Sequence, residues 1–111
     1  MRPEALKGHL DALLLAVVAD GPAHGYAIIE ELKRRSAGAV ALAEGTAYPA
    51  LHRLEKAGLL ASHWSTDAPR RRRVYAITGR GRRALGAERE QWRSFTAAVE
   101  SIFAGATWPA R

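Results

Sequence analysis

Cysteine is absent from all 111 residues. That excludes disulfides, thiolate metal sites and a cysteine nucleophile. It makes a reducing, cytoplasmic compartment the expectation. Long apolar runs are absent too. Leu10 to Ala19 is apolar but short, and Asp11 interrupts it, whereas a bilayer span takes roughly 20 apolar residues. No membrane association is therefore expected. Arg2 and Lys7 are followed by no cleavage-site pattern before "DGPAHGY", so no signal peptide is expected. His9, His24 and His63 have no partner at a ligand spacing such as i, i+4, so neither a metal nor another cofactor is expected. There is no paired-carboxylate, Ser-His-Asp or phosphate-loop pattern, so no catalytic residue is nominated and an enzyme is not expected. Internal repeats and low-complexity linkers are missing as well.

Acidic residues are missing from one stretch in particular. Between Pro69 and Arg83 there are seven arginines and no Asp or Glu, while the whole chain carries a formal charge of +6. One segment therefore holds the basic excess, as expected of a phosphate-contacting patch. Its core is "APRRRRVYAIT", four consecutive arginines running into a strand-like segment. Alone, such a run reads first as a solvated loop, and its context has to decide.

That context is a succession of short elements. Leu6, Leu10, Leu13, Leu14 and Val17 recur at helical spacing over Pro3 to Ala19. Leu15 and Val18 add apolar surface on other faces, so this helix is expected to be covered on several sides, in part by another subunit. "ADGPAHGY" stops it. A second helix is expected over about Gly25 to Ser36, followed by the small-residue loop "SAGAVALAEG". A third is expected over about Thr46 to Ala57, ending at Gly58. It places Ala47, Ala50, Leu51 and Leu54 on one side and Tyr48, Pro49, His52, Arg53 and Lys56 on the other. Pro49 would lie in its first turn, where a missing N–H does little harm.

Two strands follow, Leu59 to Trp64 and Arg73 to Ile77, with a hairpin loop bearing three of the arginines at its tip. Thr78 is placed to cap a last helix running to about Ala104. Leu85, Trp92 and Val99, with Phe95 and Ile102 on the other seam, form a short coiled-coil-like stripe, broken by Glu88. At roughly 1.5 Å per residue this helix is too long to pack wholly on the rest.

The fold expected is mostly α with a small β-hairpin (α+β). It is a winged helix-turn-helix DNA-binding domain over residues 1–78, with a C-terminal dimerisation helix and tail over 79–111. The third helix would be the recognition helix, its N-terminal residues aimed at base edges in the major groove. Tyr48 can donate to phosphate, His52 can bond a base edge or phosphate, and Arg53 and Lys56 can neutralise backbone charge. The hairpin becomes a wing whose Arg70, Arg71 and Arg72 lie along the backbone or reach into the minor groove.

These residues resemble the PadR family of bacterial transcriptional regulators. The likeness rests on "LKGHLDALLLAVVADGPAHGYAI", "EGTAYPALHRLEKAGLL" and "RRVYAITGRG", over about residues 5 to 85, with the long last helix also in place. It implies a winged helix-turn-helix, a homodimer on a palindromic operator in double-stranded DNA, and usually repression released by a small molecule. By the resemblance, Tyr26, Thr46, Tyr48, Pro49 and His52 stand at DNA-facing helix-turn-helix positions, and Arg73 and Tyr75 in the wing motif, where they too are expected to meet DNA. Val74 replaces a tyrosine often seen there. The single C-terminal helix matches the compact branch of the family.

Plainer roles stand beside these. Tyr48 could be a packed helix-start tyrosine, Tyr26 could hold two helices together, and His52 could be a surface histidine. Leu6, Leu10, Leu14, Leu85, Trp92, Phe95, Val99 and Ile102 are the candidate dimer contacts. Trp92 and Phe95 either pack between subunits or line a pocket there for a small aromatic effector. The alternative function is a winged-helix protein–protein interaction module without a specific DNA target.

Overall fold

A computed structural model describes residues 8–66, 70–105 and 108–109. Leu6 lies outside them. The order is α1 (Leu10–Val18), β1 (Ala23–His24), α2 (Gly25–Arg35), α3 (Glu44–Lys56), β2 (Leu60–Trp64), β3 (Arg73–Ile77) and α4 (Gly79–Ala104). Among the described residues, four helices and a small antiparallel sheet make this an α+β winged helix, as expected.

α1 is the centre of the core. Leu14, Leu15, Val17 and Val18 are buried, and α2, α3, α4 and β3 all pack on it. A helix apolar on several sides needs cover on several sides, and here the chain itself supplies it. The expectation that a second subunit covers this helix is corrected for Leu14, which is 0% exposed within one chain. Leu10 is only partly buried at the edge of the core.

α2 and α3 end in the same way. After α2, the Gly38 N–H donates to the Lys33 carbonyl and the Ala37 N–H to the Arg34 carbonyl, with Ala37 in the left-handed region at φ 53°. After α3, Leu59 N–H reaches the Leu54 carbonyl and Gly58 N–H the Glu55 carbonyl, with Gly58 at φ 80°. Both are two-bond closures that satisfy otherwise orphaned carbonyls. α3 starts two residues earlier than the sequence pattern indicated. Pro49 is therefore inside the helix rather than in its first turn. The N–H it lacks is the one that would pair with the Gly45 carbonyl, on a residue exposed to water.

The sheet has the order β1-β3-β2. β2 and β3 pair Leu60 with Ile77, Ser62 with Tyr75 and Trp64 with Arg73. Alternation puts those three pairs on one face. The pairing runs one residue further, from Ser65 N–H to the Arg72 carbonyl. β1 was not anticipated. It is two residues long, pairing Ala23 with Tyr75 and His24 with Val74, too short for any alternation to register.

Thr78 caps α4 as expected, accepting from Gly81 N–H at 2.9 Å and donating to the Gly58 carbonyl at 2.7 Å. Of the 26 residues of α4, only Gly81 and Leu85 are buried. Leu85, assigned to the dimer stripe, is 4% exposed and belongs to the chain's own core. The stripe that remains open begins one heptad later. Trp92, Phe95, Ile102 and Phe103 are all more than half exposed. Val99 is partly covered. Among the described residues, no helix is long and apolar enough to cross a membrane.

Candidate nucleic-acid interface

The start of α2, the start of α3 and the wing meet around one open cleft of about 640 Å³. α3 turns Ala47, Ala50, Leu51 and Leu54 into the core. The same periodicity leaves Thr46, Tyr48, Pro49, His52, Arg53 and Lys56 outside. Of these, Tyr48 and His52 line the cleft, facing Tyr26 from α2 and Arg70 to Arg73 from the wing. His24, Gly25 and Glu44 line it too, though the sequence pattern singled out none of them.

Tyr48 is packed on one side and open on the other. Its ring presses against Gly25, where an added Cβ would come within 2.3 Å of Cε1. It nonetheless remains 39% exposed. Partial burial, and the Glu44 carboxylate nearby, push its hydroxyl pKa up, so it stays a hydrogen-bond donor at neutral pH. Tyr26 is 54% exposed. Tyr75 differs: it is 4% exposed, a core residue whose edge reaches the cleft. Its place in the wing motif is therefore chiefly a packing role, and the expectation that it meets DNA directly is corrected by this burial. Burial also holds its pKa up.

The four arginines are not equivalent. Arg73 is drawn inward. Its Nε donates to Ser62 Oγ at 2.8 Å, and its guanidinium lies 3.4 Å from Glu55 of α3. Ser62 donates in turn to Glu55, and that hydrogen bond, ahead of the Arg73 charge, holds the Glu55 carboxyl below the usual range. Arg73 is thus a structural cation that ties the wing to the recognition helix. Arg71 lies over the Trp64 ring, 4.9 Å from its centroid. Arg70, Arg71 and Arg72 are exposed.

Arg72 approaches His24, with 3.1 Å from guanidinium to Nε2. The other ring nitrogen, Nδ1, accepts the Ala27 N–H at 3.3 Å and so caps α2. A neutral imidazole has one lone-pair nitrogen. His24 can therefore cap the helix or accept from Arg72, but not do both at once. The Arg72 contact and the helix cap are therefore alternatives for the His24 ring.

Arg53 and Lys56 stand apart from the cleft. Arg53 pairs with Asp11 of α1, so part of its charge is already answered inside the molecule. Lys56, in the last turn, is exposed. Thr46 and Pro49 are exposed on α3 without lining the cleft. Among the described residues no group of three His, Cys, Asp or Glu side chains is placed to hold a metal.

This architecture has many solved counterparts. A transcriptional regulator from Clostridium thermocellum matches with a TM-score of 0.81 at 26% identity, over 88% of this chain and 96% of the other. A PadR family transcriptional regulator from Eggerthella lenta matches with a TM-score of 0.79 at 31% identity, over 93% of this chain and 88% of the other. The transcriptional regulator Rv3488 of Mycobacterium tuberculosis is 42% identical over 76 residues, 68% of each chain. The transcriptional regulator PadR-like family model matches residues 14–87, from the core of α1 through the first turns of α4. The chain belongs to the PadR-like family, whose members are transcriptional regulators and not enzymes.

Proposed function

We propose that this regulator is a homodimer that binds a palindromic operator in double-stranded DNA and represses transcription until a small molecule releases it. The observation that carries the reading is the cleft. Tyr26, Tyr48 and His52, from two helices, and Arg70 to Arg72, from the wing, present donors and positive charge on one surface. Two duplex features suit that surface. The start of α3 fits the major groove, where Tyr48 and His52 would meet base edges or phosphates. The wing arginines fit the flanking backbone or minor groove. Arg73 within the cleft, and Thr46, Pro49, Arg53 and Lys56 exposed on α3 outside it, complete the proposed DNA-binding set.

Residues 1–78 would form the DNA-binding unit and 79–111 the dimerising one. The open stripe of α4, with Trp92 55%, Phe95 60% and Ile102 74% exposed, supports association through that helix. Trp92 and Phe95 also support the effector reading, their ring centroids lying 5.9 Å apart. A flat ligand between subunits would act by favouring one spacing of the two recognition helices over another. Cytoplasmic residence follows from a genomic target.

Selection from a library of random duplexes tests this. The expected winner is an inverted repeat with half-sites about 10 bp apart, or a multiple. Enrichment of no sequence by a folded protein would favour the protein–protein adaptor instead.

A further inference from the structure

Trp64 is an aromatic residue in an odd place. It ends β2, on the face of the hairpin that further along holds Leu60 and Ile77 in the core, yet it is 48% exposed. Its ring is covered by cations rather than by the core. Arg73, its cross-strand partner, lies 5.2 Å from the ring centroid, and Arg71 lies 4.9 Å from it. Arg73 is itself fixed by Ser62 and by Glu55 of α3. A continuous set of contacts therefore runs from the recognition helix through Glu55, Arg73 and Trp64 to Arg71 in the wing.

We infer that Trp64 is a positioning residue for DNA binding: its ring holds the Arg71 guanidinium at a fixed place relative to the recognition helix, ready for a backbone phosphate. The chemistry allows both contacts at once. A guanidinium on a π-face uses its face for the ring, while its N–H groups point outward in the plane, where a phosphate oxygen accepts them. The gain is pre-organisation. A long arginine side chain on a loop otherwise loses rotamer freedom when it is captured. The inference rests on the DNA-binding reading above and deepens it. A tryptophan that served only as filler would be replaceable by any apolar side chain of similar bulk.

The test is a fluorescence anisotropy titration against a labelled duplex carrying the DNA upstream of the protein's own gene, at several salt concentrations. Four variants are compared with the unaltered protein: Trp64→Leu, which stays apolar but has no π-face; Trp64→Phe, which stays apolar and keeps a smaller π-face; Arg71→Ala; and Trp64→Leu with Arg71→Ala. Trp64→Leu and Arg71→Ala are each expected to weaken binding about three- to tenfold. Arg71→Ala is also expected to flatten the slope of log K against log salt by roughly 0.9 per bound chain. Trp64→Phe should recover most of the affinity, and the double variant should bind no worse than Arg71→Ala alone. Binding by Trp64→Leu equal to that of the unaltered protein overturns the inference. So does a double variant whose two effects multiply, or a Trp64→Phe no better than Trp64→Leu. Failure of the unaltered protein to bind any duplex at low salt would instead remove the DNA-binding reading itself, and the inference with it.

Discussion

Gly25 and Gly81 are each pressed against a neighbour, and the two neighbours differ in what they can yield. At Gly81 a Cβ would meet the Leu59 carbonyl oxygen at 2.1 Å and Ile77 at 2.7 Å. That oxygen belongs to the strand junction and also accepts the Thr78 N–H, so it cannot swing aside. Gly81→Ala is expected to cost about 1–3 kcal/mol, a fall in Tm of roughly 5–15 °C by thermal melting. An unchanged Tm would mean that α4 is not seated on that carbonyl. At Gly25 the obstacle is only the Tyr48 ring, which faces water on its far side. Gly25→Ala should leave Tm within a few degrees and should displace the ring from its place in the cleft. The expected result is about tenfold weaker DNA binding by anisotropy, in line with the removal of one or two good hydrogen bonds. Full retention of affinity would show that the pose of Tyr48 does not matter. Gly25 of "HGY" and Gly81 of "TGRG" are thus required for different reasons.

At the scale of elements, the wing arginines and the surface network of α2 make separate predictions. Replacing Arg70, Arg71 and Arg72 by Ala should weaken binding to every duplex and flatten the salt dependence by roughly 0.9 for each phosphate no longer neutralised. An unchanged slope in a salt titration would take the wing out of the interface. On α2, Glu31 accepts from Arg34 at 2.8 and 2.7 Å and from Arg35 at 2.7 Å. Those bonds hold its carboxyl at about 2, against an ordinary 4.5. A depressed carboxyl stabilises the fold fully above the ordinary value and loses that contribution as pH falls through 4.5 towards 2. The pairs are solvent-screened, so the effect is small. Glu31→Gln should flatten the acid limb of a melting-temperature profile across that window, and identical profiles would contradict the pairing. The bounds of these elements were legible in the sequence where a local signal exists. Thr78 and Gly58 marked ends, and the strand-like run Val74-Tyr75-Ala76-Ile77 marked β3. What escaped was long-range: the β1 pairing, the Arg53–Asp11 pair across 42 residues, and the Trp64 contacts. None leaves a local period. The residue types that line the candidate cleft, Tyr48, His52 and the arginines, were legible, but the burial of Tyr75 and the Ser62 and Glu55 contacts of Arg73 were not.

For the whole molecule, the decisive feature is a helix that a single chain leaves mostly uncovered. Leu85 closes the core, while Trp92, Phe95, Ile102 and Phe103 stay mostly exposed, the Trp92 ring centroid lying 5.4 Å from that of His9 and 5.9 Å from that of Phe95. In the proposed homodimer a second copy would cover that stripe. Phe95→Glu would place an unpaired charge in that contact, and light scattering should then report half the mass of the unaltered protein. A full dimer mass would move the interface elsewhere. The broader proposal is a DNA reader whose cleft joins helix-turn-helix and wing. Anisotropy titrations of the unaltered protein, at several salt concentrations, test it most directly. The two probes are the duplex upstream of its own gene and a shuffled duplex of the same composition. Tight binding to the first alone, with a steep fall as salt rises, is the predicted result. Absence of binding to both at low salt, by a protein that is folded and dimeric, would contradict it.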